Sequence, residues 1–249
     1  MMHKVGINFT TTCRPLILSV LAFIHISFSS PVVANPEDEL FPATVPSNLC
    51  YLKTTRSLRF IGIKKEYNSA GTLFDGEYLI TAGHNLYDSS WSKLLNVEVM
   101  CKSADGGAVT SVVLSDQIGK TRSVEKYNVN NHSFSYDFAF LRLSERINVA
   151  ESIRLPSRFD INELNEIEVA GYPGGALRHG KGKVEHPAPS DHTFYYDVDT
   201  AKGMSGGAVW STYDGKDILA GIHVAEGRAR ILDEGLLNDF DRWKITTSR

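Results

Sequence analysis

Leu79-Ile80-Thr81-Ala82-Gly83-His84 is an apolar run, read as a strand, that ends in a small-residue turn and a histidine. Downstream stands Tyr136-Asp137-Phe138-Ala139-Phe140-Leu141-Arg142-Leu143, an aspartate opening a second apolar run. Gly203-Met204-Ser205-Gly206-Gly207-Ala208-Val209 then sets a serine in a glycine-rich turn before a strand. Singly, each segment has an ordinary structural explanation. A histidine can close a strand, an aspartate can form a turn, and a Gly-Ser-Gly stretch can be a loop. Together they follow in the order His, Asp, Ser at intervals of 53 and 68 residues. The combination is far more specific than any one segment, since a hydroxyl, an imidazole and a carboxylate are groups that nucleophilic catalysis uses.

Around these segments the sequence reads as mostly β. Short β-rich runs fall at 58–63, 71–74, 78–82, 97–101, 109–114, 137–143, 167–171, 193–198, 207–210 and 218–224. Their even spacing is that of a barrel or sandwich. Asp-Gly pairs at 75–76, 105–106 and 214–215, with Pro-Gly-Gly at 173–175, mark turns between them. One helix is predicted near the end, where Leu236, Leu237, Phe240 and Trp243 share a face at helical spacing.

The first 34 residues do not belong to this pattern. Lys4 and Arg14 are the only fully charged residues before Glu37, and an apolar stretch of about 13 residues runs from Leu16 to Phe28. Val32-Val33-Ala34 then offers small or β-branched residues at a cleavage site. That order is a secretory signal peptide, and the stretch is short of the roughly 20 residues a membrane anchor needs. The protein is therefore expected outside the cytoplasm, extracellular or periplasmic, with no stable membrane anchor. Residues 35–57, containing Pro36, Pro42 and Pro46, read as a candidate pro-segment or N-terminal extension.

The whole chain of 249 residues carries 26 basic and 29 acidic side chains, a formal charge of −3. Loss of the leader removes only Lys4 and Arg14 among charged residues, leaving −5. No polybasic field exists, which argues against nucleic acid as a partner. Loss of Cys13 with the leader leaves Cys50 and Cys101. In an exported protein two cysteines most simply make one disulfide, stabilising the fold by roughly 4 kcal/mol, with two free thiols as the alternative. His179, His186 and His192 lie close in sequence but lack metal-ligand spacing and read as loop residues, so neither a metal nor a cofactor is expected.

Thr-Ala-Gly-His at 81–84, Asp-Phe-Ala-Phe-Leu at 137–141 and Gly-Met-Ser-Gly-Gly at 203–207 resemble the three signature segments of chymotrypsin-like serine endopeptidases. Within that group the sequence is most similar to the bacterial glutamyl endopeptidases of staphylococcal type. The supporting stretches are Val169 to Gly174, Tyr196-Asp197-Val198-Asp199-Thr200 and Gly221-Ile222-His223. Asn85 departs from the animal trypsins, which place a cysteine directly after the histidine. The resemblance implies an all-β fold of two antiparallel six-stranded β-barrels, an active-site cleft between them and a C-terminal helix. It implies a peptidase domain over 58–249, with a first barrel at about 58–150 and a second at about 151–249. In that setting Ser205 is the nucleophile, His84 the general base and Asp137 its orienting partner, with the Gly203 and Ser205 amides as the oxyanion hole.

The same resemblance implies that Thr200 and His223 bind the carboxylate of a Glu before the scissile bond. Asp199 stands where trypsins hold the aspartate that binds Lys or Arg, and Glu226 where most relatives carry glycine at the pocket mouth. Acidic preference is the favoured reading and trypsin-like basic preference the alternative. A secreted binding protein on a degenerate fold is a further rival, opposed by the retention of all three triad residues. An α/β-hydrolase acting on small esters is opposed by chain order, since its serine comes first. The expected partners are protein or peptide substrates, and the chain is expected to act as a monomer. Zymogen processing after Arg56 or Arg59 would create a new N-terminus.

Overall fold

The computed structural model describes residues 46–74, 76–87, 91–113, 117–119, 134–149, 163–188, 192–213 and 215–247. The leader and residues 35–45 of the candidate pro-segment lie outside these residues. Two β structures carry the chain. The first is a seven-stranded antiparallel sheet. It contains β1 (Leu49–Leu58), β2 (Lys64–Leu73), β3 (Tyr78–Thr81), β4 (Ser92–Lys102), β5 (Ala108–Val113), β6 (Ile118–Gly119) and β7 (Ala139–Arg142). The second contains β8 (Glu166–Gly171), β9 (Arg178–Ala188), β10 (Thr193–Tyr196), β11 (Ala208–Tyr213), β12 (Lys216–Ala225) and β13 (Arg228–Ile231).

The second unit closes as a six-stranded barrel in the order β10-β13-β12-β11-β8-β9. The first does not meet the expectation of six strands in a closed ring. Its order is β5-β4-β1-β2-β3-β7-β6, a half-barrel with β5 and β6 at its edges among the described residues. The short β6 pairs with β7 at only two positions.

Residues 58–63, read as a strand, form the turn of the β1–β2 hairpin instead. The amide of Gly62 donates to Leu58 O across 2.8 Å, and Gly62 takes a φ of 65°. A turn of that kind outweighs the apolar content of Phe60 and Ile61, which are left exposed. The strand lies earlier, at 49–58, inside the stretch read as an extension. Its alternating pattern puts Cys50, Leu52, Thr54 and Arg56 on the buried face. β1 is an interior strand between β2 and β4, and the Cys50–Cys101 disulfide joins it to β4 at directly paired positions. Strands β9 and β13 were also not apparent, being rich in Arg, Lys and Gly.

Three apolar clusters fill the structure. Leu52, Leu73, Leu79, Val97, Val99 and Leu141 fill the first sheet. Ile167, Val169, Phe194, Met204 and Val209 fill the second barrel. A third cluster includes Ala70, Ile80 and Phe140 of the first sheet and Ala170, Ala208 and Ile222 of the second barrel. The two halves are therefore joined by dry contact, and side-chain positions across their boundary are fixed by packing.

The predicted helix is α1 (Glu234–Thr247). Asp233 caps it by accepting the Leu236 amide across 2.9 Å. Burial works against the Asp233 carboxylate, but Arg230, that amide and His192 hold its pKa below the ordinary value. Phe240 packs at 4.5 Å from Phe74 and 5.2 Å from Phe140, while Trp243 stacks on Phe140 at 5.7 Å. The helix follows the last strand of the second barrel yet buries its apolar face on the first sheet. No helix of the described residues is long and apolar enough to cross a membrane.

Candidate active site

β3 ends at Thr81, and a single 3-10 turn over Gly83–Asn85 carries His84 out of the sheet. A second 3-10 turn, Phe134–Tyr136, sets Asp137 just ahead of β7. Since β3 and β7 are paired, these two turns leave the sheet side by side. The Asp137 carboxylate then grips the histidine twice. Oδ2 lies 2.8 Å from His84 Nδ1, and Oδ1 accepts the His84 backbone amide, also across 2.8 Å. Asp137 is fully buried, whereas the His84 side chain keeps 30% of its surface. That contrast is what a working base needs, with an anchored carboxylate behind and an open imidazole edge in front.

Ser205 sits on the turn before β11, in the second barrel. His84 and Ser205 line one open cavity of about 550 Å³, with Arg56, Asn68, Phe134, Gly203 and Val224 among its walls. The Ser205 turn is stitched to both halves. Ser205 O accepts the Ala70 amide at 2.9 Å, and the Gly206 amide donates to His223 O at 2.7 Å. The amides of Met204 and Gly207 also reach backbone carbonyls. Among the described residues no backbone acceptor takes those of Gly203 and Ser205. Gly203 has a φ of 108°, and a side chain there would meet Pro173 Cα and Tyr172 O at 2.9 Å. Only glycine lets the backbone turn its amide at that point.

The remaining predicted residues separate. His223 is 3% exposed, and its Nδ1 hydrogen-bonds to the Tyr196 hydroxyl. Burial, then the charge of His84, pushes its pKa down to about 4, with a backbone hydrogen bond to Arg228 acting the other way. Its ring is therefore neutral at pH 7. Thr200 is half-buried. The side chain of Asp199 is 93% exposed and stands 3.7 Å from Arg178. Glu226 is exposed on the tight turn between β12 and β13. None of these four is among the residues lining the cavity, whose wall passes through Val224 and Ala225. His179 pairs with Glu168 and His192 with Asp233, each at 2.7–2.8 Å. Among the described residues no group of three or more His, Cys, Asp or Glu is placed to hold a metal ion.

Two residues at the site escaped the sequence reading. Asn85, marked only as a missing cysteine, is buried beside the nucleophile turn. Arg56, read as a cleavage point, lies in β1 with its guanidinium behind His84. The signal for Arg56 was its place in the inward series Cys50, Leu52, Thr54, Arg56.

A closed antiparallel barrel beside a second β sheet, with a carboxylate-held histidine and a glycine-flanked serine on their shared cavity, defines a chymotrypsin-like serine peptidase. The chain belongs to the trypsin-like peptidase family: the family model described as "Trypsin-like peptidase domain" matches residues 69–222, more than half its length. It is accordingly a serine endopeptidase, a hydrolase. A search of the curated proteins found no match. Among solved structures it resembles a thermostable serine protease, AL20, from an extremophilic microorganism, at 14% identity and a TM-score of 0.61, covering 81% of this chain and 98% of that one. It also resembles a Glu endopeptidase in complex with MPD, at 20% identity and a TM-score of 0.58, covering 86% and 95%. Protease Anisep from Arthrobacter nicotinovorans matches at 15% identity and a TM-score of 0.58, covering 80% and 96%. At such identities the likeness concerns the fold.

Proposed function

We propose that the protein is an exported endopeptidase that cuts peptide bonds through Ser205, His84 and Asp137, with preference for Glu before the scissile bond. The observation that carries the catalytic reading is the double grip of buried Asp137 on His84, on the cavity that Ser205 shares. Asp137 holds the Nδ1–H tautomer, so that Nε2 takes the serine proton as Oγ attacks the peptide carbonyl. The carbonyl oxygen becomes an oxyanion facing the Gly203 and Ser205 amides. Collapse breaks the C–N bond, His84 passes its proton to the leaving amine, and water repeats the sequence to release the acid. Losing one oxyanion donor typically lowers the rate about 100- to 1000-fold.

The acidic preference rests on Thr200 and His223, whose hydroxyl and neutral imidazole can donate to a carboxylate without a fixed charge. The basic alternative would need Asp199 turned inward, whereas its carboxylate faces solvent beside Arg178. Export rests on the leader. Maturation is proposed after Ala34, since cutting after Arg56 would sever an interior strand and cutting after Arg59 would open the turn that joins it to β2.

A serine-reactive fluorophosphonate tests the catalytic reading, which expects labelling that Ser205→Ala and His84→Ala abolish. Labelling that survives both substitutions would refute it. Matched peptides with Glu, Asp, Arg, Lys or Phe before the cut test specificity, and cleavage after Arg with none after Glu would overturn the acidic preference. N-terminal sequencing of active protein should begin at Asn35.

A further inference from the structure

A β-strand with one buried face should carry apolar side chains at every second position of that face. β1 does so with Cys50 and Leu52, then departs from the rule with Thr54 and Arg56. Arg56 is only 8% exposed, an unusual place for a guanidinium unless it is well bonded. The pairing of β1 with β4 slips between Thr55 and Arg56, passing over Leu95. Irregularities of this kind re-aim a side chain near an active site.

The guanidinium is aimed at the end of the turn that carries the catalytic histidine. Nη1 donates to Tyr87 O across 2.5 Å and Nη2 to Asn85 O across 2.8 Å. Longer contacts reach His84 O at 3.4 Å and Ser92 Oγ at 3.5 Å. The last carbonyls of a helical turn lack donors within the turn itself, and a single 3-10 turn is short and easily distorted. A planar fork of donors can bind several such carbonyls at once, as the point charge of a lysine cannot.

We infer that Arg56 is a positioning residue for His84, holding the turn so that the imidazole meets Asp137 and Ser205 together. The inference rests on the triad reading proposed above. It makes Arg56 a part of the catalytic frame rather than a processing site. A displacement of about 1 Å at a reacting group can cost on the order of 100-fold in rate. Loss of the fork should therefore act on the chemical step and leave reagent binding alone.

The test is fluorophosphonate inactivation of the mature protein, resolved into the maximal rate and the half-saturating concentration. Arg56→Met should lower the maximal rate roughly 10- to 100-fold, with half-saturation changed less than about threefold. Arg56→Lys should fall between Met and wild type. In a Ser205→Ala background, the low-field proton resonance of His84 Nδ1–H should broaden on Arg56→Met. A maximal rate within twofold of wild type, a loss confined to half-saturation, or Lys no better than Met would overturn the inference. If Arg56→Met does not fold, Arg56→Lys decides alone: a wild-type maximal rate overturns the inference, and a lowered one at unchanged half-saturation supports it. Labelling that persists in Ser205→Ala would instead refute the triad reading. Abolished labelling there, with an unaltered rate in the Arg56 variants, would refute only the role of Arg56.

Discussion

The side-chain amide of Asn85 donates to the backbone carbonyl of Ser205 across 3.0 Å, joining the histidine turn of the first sheet to the nucleophile turn of the second barrel. The same amide donates to Thr81 Oγ1 across 2.9 Å, and that hydroxyl in turn donates to Ala70 O across 2.7 Å. Ala70 closes the circuit by giving its own amide to Ser205 O. The His84 turn and the Ser205 turn are thus registered by a buried polar network.

Asn85→Ala should lower stability by about 1–2 kcal/mol, since Ser205 O keeps the Ala70 amide while Thr81 loses a donor. The fluorophosphonate reaction should slow by roughly tenfold as the two turns lose their common tie. Urea denaturation and inactivation kinetics on one preparation check both figures. A destabilised variant that reacts at the wild-type rate would make the network purely structural.

Gly206 should tolerate no side chain. It has a φ of 83°, and an added Cβ would stand 2.1 Å from Thr81 Oγ1 and 2.2 Å from Ala70 O. Positive φ alone costs about 1–3 kcal/mol for other residues, and the backbone oxygen cannot move aside. Gly206→Ala is expected to abolish labelling and lower the melting temperature by several degrees. Thermal scans and labelling on the same sample would show it.

Replacing Cys50 and Cys101 by alanine should destabilise the protein by about 2–5 kcal/mol. The bridge joins β1 to β4 at the opposite end of β1 from Arg56. Folded protein at low temperature should therefore still label at Ser205. Denaturant midpoints measure the first effect and labelling rates the second.

His223 should make stability sensitive to mild acid. Its folded pKa of about 4 lies below the value of 6.5 it has when exposed. Between those values the unfolded chain binds a proton that the folded chain excludes. The contribution is complete above pH 6.5 and falls away as pH drops toward 4, by on the order of 2–3 kcal/mol. Urea midpoints at pH 7.5 and 4.5 should separate strongly for wild type and less for His223→Gln. Equal separations would show that other groups carry the acid limb.

The three signature segments were legible because each is local. A strand that ends in Ala-Gly-His, an Asp before an apolar run and a Ser between glycines each keep their character within a few residues. The paired β3 and β7 and the terminal helix were equally readable from apolar period. The first strand was not. Its inward face holds Thr54 and Arg56, and the guanidinium of Arg56 is satisfied by Tyr87, Asn85 and Ser92, some 30 residues away in sequence. Phe60 and Ile61 misled in the opposite sense, since they are apolar and β-prone but stand on an exposed turn. The Gly62 backbone overrode their propensity.

By itself, the sequence determined the family, the β character of the fold, the order of the three signature segments and the cysteine pair. Those depend on composition and spacing along the chain. The tertiary structure alone decided that the first unit is a half-barrel, that Arg56 faces inward, that Asp199 faces out toward Arg178, and that Asn85 reaches Ser205. The first depends on strand pairing between distant segments, and the other three on which distant carbonyl or charge a polar side chain meets in the folded chain. A buried polar group must find a partner, but nothing in its own neighbourhood says which.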